Sequence, residues 1–348
     1  MIFRLSNEEN SMSDPAPLLS VTNLRTTLDT PAGTLVAVAD VDLTLERGQS
    51  LGIVGESGSG KSMLVRSIMG IAPSAATVHP DSLVVFDGRD VTRLDRTQAR
   101  HFWGTEIAMI FQDPLTSLNP VRTINSQITD PLRFHLGLSR KQARARALEL
   151  LDMVRIPSAA GRLDEYPHQL SGGMRQRIGI AIALACDPTL LIADEPTTAL
   201  DVTVQYEILE LLHSIQVEQK MAMILVSHDL GVVSRYTDRI AVMYAGRLIE
   251  TSATAGLRGG ARHPYTEALL ASIPRIDLPP HTRLQAIDGR PPDLRRLDPG
   301  CRFAPRCGYV RDRCRTEEPL LHHDDRIEHR AACHFPLGSS DTELIGAH

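Results

Sequence analysis

The sequence predicts an α/β fold: a mostly parallel sheet with helices on its faces, a helical insertion, and a small irregular C-terminal extension. Three observations predict it. From about Leu18 to Glu250, strand-like runs alternate with helical ones, the pattern of parallel strands joined by crossover helices. An apolar run, Ser50 to Val54, enters a Gly-rich turn and then a helical segment. Beyond Glu250, long apolar periodic segments give way to Pro, Arg and His.

Each element follows in chain order. Ser50 to Val54 reads as a buried strand, as do Thr189 to Ala193 and Met223 to Val226. Leu138 to Val154 has Ser139 as a helix cap and then helical periodicity through Leu148, Leu151 and Met153. It reads as part of a helical insertion spanning about 113–175. The change of composition sets a boundary near residue 260, dividing a large domain, 1–260, from an extension, 261–348. A chain of 348 residues accommodates both.

Composition excludes several classes. Apolar residues make up 42%, enough for a packed core. With 37 basic against 42 acidic residues the net charge is −5, which is not the footprint of a general nucleic-acid binder. No run approaches the ~18 apolar residues of a membrane helix; the best, Ile178 to Cys186, is far too short. The first residues carry acids and polar groups where a signal peptide would be apolar. Any work at a membrane is therefore expected from its cytoplasmic face, through a partner. Cys186, alone in an apolar run, reads as a small core residue.

The phosphate chemistry is explicit. Gly55-Glu56-Ser57-Gly58-Ser59-Gly60-Lys61-Ser62 matches the P-loop pattern in full, with strand before and helix after. Glycines let backbone N–H groups curl round an anion, and the helix points its positive end at it. Lys61 is expected on the β- and γ-phosphates of ATP and Ser62 on Mg²⁺. Asp194 and Glu195 end a buried apolar strand, where a doubly wound sheet presents ligand groups. Asp194 suits Mg²⁺, and Glu195 suits an attacking water.

Leu170-Ser171-Gly172-Gly173-Met174-Arg175-Gln176 opens a further helical run. Here the chain, over roughly residues 18–255, resembles ATP-binding cassette (ABC) ATPases of the P-loop NTPase fold, with this block similar to their signature. Gln112 is similar to the Q-loop glutamine, Ala199-Leu200-Asp201 to the D-loop and His228 to the switch histidine. The resemblance implies that two ATPase subunits close over ATP, with Ser171, Gly172 and Gly173 reaching the γ-phosphate held by the other. It also implies that Glu195 positions the water, that His228 contacts the γ-phosphate, and that Gln112 joins the Mg²⁺ site to the helical insertion. One departure stands out. The family stacks adenine on an upstream aromatic, and Leu28 takes that place here, so stacking is weaker or comes from Arg25 or the C-terminal region.

Phe111 to Pro120, the stretch Asp29 to Gly33, and His263 to Thr266 resemble the oligopeptide and dipeptide importers. That implies a related second ATPase, two transmembrane permease subunits and an extracytoplasmic substrate-binding protein as partners. Nickel and glutathione importers share these features, and a soluble non-transport ABC ATPase is the remaining alternative. Against the last, too little chain separates Lys61 from Asp194 to hold a long coiled coil. Cys301, Cys307, Cys314 and Cys333 are separated by five, six and eighteen residues. Four thiolates can hold zinc or an iron–sulfur cluster, and the spacing lacks the paired knuckles of structural zinc sites. The resembling family includes members whose similar tail implies a [4Fe–4S] cluster. In the zinc alternative His322, His323, His329 or His334 stand near enough to substitute.

Overall fold

The computed structural model describes residues 16–112, 118–198, 200–273, 287–321 and 329–338. Two sheets form its frame. The first strands, β1 (Leu19–Thr30) and β2 (Gly33–Leu45), make a long antiparallel hairpin whose register closes at Thr30 opposite Gly33. With β4 (Ala76–Val78), β5 (Leu83–Phe86) and β6 (Arg89–Asp90) they build an antiparallel sheet. The expectation of one mostly parallel sheet did not include this layer. Register shifts break the alternation of its long strands β1 and β2, and β4 to β6 are too short to carry a period.

The second sheet is the mostly parallel one. In spatial order it runs β12 (Arg330–Ala331), β11 (Arg247–Ala253), β10 (Arg239–Tyr244), β3 (Ser50–Val54), β9 (Ala222–Ser227), β8 (Leu190–Asp194) and β7 (Ile107–Ile110). The five strands from β10 to β7 are parallel, and β11 and β12 add antiparallel pairs at one edge. Every residue of β3 and β8 is buried, as expected for strands covered by helices on both faces. Parallel pairing has a functional consequence. Ile110 lies beside Ala193, Asp194 beside Val226, and Val54 beside Ser227. The carboxyl ends of four strands thus open onto one edge, where such sheets bind ligands.

Helices Ile124–Leu136, Arg140–Met153 and Gly172–Ala183 pack together through Ile128, Leu132, Ala147, Leu151 and Ile178. Ser139 caps the second by accepting from the Gln142 N–H, while the Gln142 side chain accepts from the Ser139 N–H, a reciprocal capping box. Cys186 is buried in the same cluster. Among the described residues no helix is long and apolar enough to cross a membrane.

The chain beyond β11 does not stand apart. Helix Pro264–Ala271 is capped by His263, whose Nδ1 accepts from the Tyr265 N–H at 3.0 Å. Burial pushes this imidazole down to about 4, so the ring is neutral and its Nδ1 is free to accept. Tyr244, on the parallel sheet, meets Tyr265 and Phe303 with ring centroids 4.6 and 5.4 Å apart. β12 then returns to pair Ala331 with Glu250.

Candidate phosphate site and cysteine cavity

The turn after β3 is shaped by contacts that exclude side chains. A Cβ on Gly55 would lie 2.1 Å from the Met243 carbonyl oxygen, and one on Gly60 would lie 2.3 Å from that of Ala37. Both residues have positive φ, 156° and 104°. Helix Lys61–Ile68 follows, with Gly60 at its N-cap. Gly60→Ala should therefore cost about 1–3 kcal/mol of local strain and abolish ATP binding. Titration with a fluorescent ATP analogue checks this, with Gly161→Ala as control, because that residue lies outside the loop and a Cβ there meets nothing within 4 Å.

Six of the predicted residues come together at the strand ends. Lys61 is 4% exposed, and its ammonium donates to the carbonyls of Gly55 (2.7 Å) and Glu56 (3.0 Å). It lies 3.9 Å from Glu195 Oε1. Burial pulls Lys61 below its ordinary value, against the opposing pull of Glu195 and Asp194. The Ser62 hydroxyl donates to Asp194 Oδ1 at 2.8 Å. The other oxygen, Oδ2, is buried without a hydrogen-bond partner, 3.8 Å from Arg66. Burial raises the Asp194 carboxyl, partly offset by Ser62. A buried carboxylate oxygen with no donor beside a serine hydroxyl is a donor set that fits Mg²⁺.

Glu195 has φ 47°, a left-handed conformation that a non-glycine residue seldom takes. Its Oε2 accepts from Gln112 Nε2 at 2.9 Å and from the Thr198 hydroxyl at 3.2 Å, and His228 Nδ1 lies 3.7 Å away. His228 itself is 65% exposed, as befits a group facing a ligand rather than the core. Gln112 thus bridges the end of β7 to the end of β8.

The signature residues lie elsewhere. Ser171 accepts from the Met174 N–H at the start of helix Gly172–Ala183. A Cβ on Gly173 would meet Val204 at 3.0 Å. Asp201 caps helix Val202–Gln219, accepting from the Val204 N–H. Among the described residues, the hydrogen bonds of Ser171 run within its own helix and none reaches the P-loop. Ala199 and residues 113–117 lie outside the described residues.

Leu28 sits on β1 between Leu35 and Ala76. The Arg25 guanidinium forks onto Asp40 through two 2.7 Å contacts. Sequence reasoning missed two further residues at the loop. The Arg306 guanidinium holds the Glu56 carboxylate, and the Glu56 N–H donates to the Tyr265 hydroxyl at 2.9 Å. Nothing local in the sequence signals contacts across such separations.

The four late cysteines line one cavity, with His263, Phe303, Tyr309, His334 and Phe335 also in its wall. Cys314 is buried and the others partly so. Burial pushes the Cys307 thiol up to about 11 and Cys333 up to about 12. Among the described residues, no three His, Cys, Asp or Glu side chains are close enough to hold a single metal ion. This geometry does not fit one zinc ion. Of the histidines named for the zinc alternative, His334 lines the cavity, whereas His329 is not in its wall and its Nε2 meets Glu250 at 2.6 Å. His334 Nε2 meets the Glu317 carbonyl at 2.9 Å. His322 and His323 lie outside the described residues.

Comparison with known proteins agrees with this layout. Residues 38–198 match the family model for ABC transporters, and residues 249–314 match that for the oligopeptide/dipeptide transporter C-terminal region. A putative peptide import ATP-binding protein of Brucella abortus (strain 2308) is 50% identical over 306 residues, covering 88% of this chain and 92% of its own. The dipeptide transport ATP-binding protein DppD of Bacillus subtilis (strain 168) is 49% identical over 290 residues, covering 83% and 86%. Among solved structures, an ATP-binding cassette dimer in a post-hydrolysis state bound to ADP and Pi matches at TM-score 0.61 and 28% identity. That match covers 68% of this chain and 98% of the other. The chain belongs to the ABC transporter family, among the ATP-binding proteins that carry the oligopeptide/dipeptide transporter C-terminal region.

Proposed function

We propose that the chain energises a membrane importer of dipeptides or oligopeptides by hydrolysing ATP between two paired ATPase subunits. ATP hydrolysis with Mg²⁺ is the activity of its family. The observation that carries the residue assignments is the convergence of Lys61, Gln112, Asp194, Glu195 and His228 at four parallel strand ends. The loop Gly55, Glu56, Ser57, Gly58, Ser59 and Gly60 cradles phosphate through backbone N–H groups, and Lys61 turns from its own carbonyls to the β- and γ-phosphates. Ser62, Asp194 and Gln112 would hold Mg²⁺, which supplies charge neutralisation on the phosphate oxygens. Glu195 orients the attacking water and His228 contacts the γ-phosphate. Catalysis is mainly positioning and charge stabilisation.

Ser171, Gly172 and Gly173 complete a partner subunit's site, because among the described residues their helix start makes no hydrogen bond to this chain's own loop, and Asp201 starts the neighbouring helix. The working assembly comprises a related second ATPase, two permease subunits and an extracytoplasmic substrate-binding protein, with this chain on the cytoplasmic face. Residues 1–260 form the nucleotide-binding unit and 261–348 the extension. The 46–50% identity to named peptide import proteins supports peptide as cargo. Uptake of a radiolabelled dipeptide should vanish in cells lacking this chain and return with the wild type. Uptake that persists unchanged overturns the reading.

The cysteine cavity is proposed to hold a [4Fe–4S] cluster through Cys301, Cys307, Cys314 and Cys333. Its role is to staple an extension poor in apolar residues, since metal binding contributes directly to folding free energy. Analysis of anaerobically purified protein should find about four iron and four sulfide per chain. A colourless, zinc-loaded sample overturns this.

A further inference from the structure

The phosphate loop is gripped from outside its own sheet. Arg306 closes a single turn, Ala304–Arg306, immediately before Cys307. Its side chain is 3% exposed and forks onto Glu56, with contacts of 2.7 and 3.0 Å. The fork is itself aimed by the carbonyls of Asp288 (2.8 Å) and Ile287 (3.2 Å), and the guanidinium packs 5.9 Å from the Tyr244 ring centre. Meanwhile Tyr265 takes the Glu56 N–H. The extension thus holds one loop residue by both its side chain and its main chain.

Glu56 is the one acid among residues 55–62. An unpaired carboxylate in a loop that must accept a polyanion repels it. It would also draw on the Lys61 ammonium, on which the Glu56 charge already acts. A bidentate arginine pair is the arrangement that best removes both effects, because it neutralises the charge and fixes its direction. We propose that Arg306 is a positioning residue for ATP: by pairing with Glu56 it cancels the negative charge in the phosphate loop and holds Lys61 available for the nucleotide. This rests on the P-loop being the nucleotide site, which ATP binding by the wild-type chain tests separately in the same assay.

The test is a cycle of variants in the full-length chain, read by ATP Kd and by KM and kcat, with thermal melting alongside. Arg306→Gln should weaken ATP binding and raise KM by about tenfold or more, with kcat at saturating ATP changed far less. Adding Glu56→Gln to Arg306→Gln should recover most of the lost affinity, because the repelling charge is gone. Arg306→Lys, which keeps charge but loses the fork, should fall between. A wild-type KM in Arg306→Gln overturns the proposal. So does a double variant that binds ATP as poorly as Arg306→Gln alone, which would reduce Arg306 to holding the extension. If Arg306→Gln does not fold, Arg306→Lys with and without Glu56→Gln carries the same comparison.

Discussion

Replacing Glu195 by Gln should leave ATP binding intact while lowering turnover by at least about 100-fold, the usual scale for losing a general base. The geometry explains why the loss is selective. Glutamine is nearly isosteric, so its carbonyl oxygen can still accept from Gln112 and Thr198, which hold the native carboxylate at 2.9 and 3.2 Å. The strained backbone at φ 47° needs no further change. What disappears is the negative charge that a water needs beside it in order to attack phosphorus. The phosphate contacts assigned to Lys61 and the loop glycines remain. Because the γ-phosphate is then never removed, paired subunits should stay closed on ATP, and size-exclusion chromatography should show a long-lived nucleotide-bound pair. Near-normal turnover in this variant would sink the assignment of Glu195 and, with it, the role given to Gln112.

How much of this was legible in the sequence depended on how local the chemistry is. The P-loop, Asp194-Glu195 and the helix at 140–153 were readable because each is a contiguous run whose spacing implies its structure. Ser139 announces its helix by a cap that reaches only three residues. Gln112 and His228 became readable through the order of the motifs around them, and the parallel register then placed both beside Glu195. The antiparallel sheet was not legible, since register shifts interrupt the alternation along the β1–β2 hairpin and β5 and β6, four and two residues long, carry no decisive period. The pairing of Arg25 was not legible for a related reason. Its partner Asp40 lies on the neighbouring strand, and only the hairpin register brings the two together. The hold of Arg306 on Glu56 spans 250 positions, and no pattern in either segment carries it.

Glu250 is the residue whose loss should most damage the extension. It lies on β11 with 0% exposure, and its carboxylate gathers three donors from both ends of the tail. The Arg262 and His263 N–H groups donate at 2.7 and 2.9 Å, and the His329 ring lies at 2.6 Å. Burial alone would raise this carboxyl, but the His329 contact and the backbone donors outweigh burial and hold it below the usual range. Its folded value is therefore lower than its unfolded one, so its support is present above about pH 4.5 and lost as pH falls through the folded value. Glu250→Ala leaves two buried N–H groups and His329 without their acceptor, at a cost of about 2–5 kcal/mol. We expect a lower thermal midpoint at neutral pH and faster proteolysis after residue 260. Acidification below about pH 4.5 should narrow the gap progressively, because the wild type loses the contribution the variant already lacks as pH falls towards the folded value. Because β11 also carries the pairing to β12 and leads into the His263 cap, the damage should spread to the cysteine cavity and to the Arg306 contact. A variant that melts and resists protease like the wild type would show that the extension is held by its aromatic packing on Tyr244 and Phe303 instead.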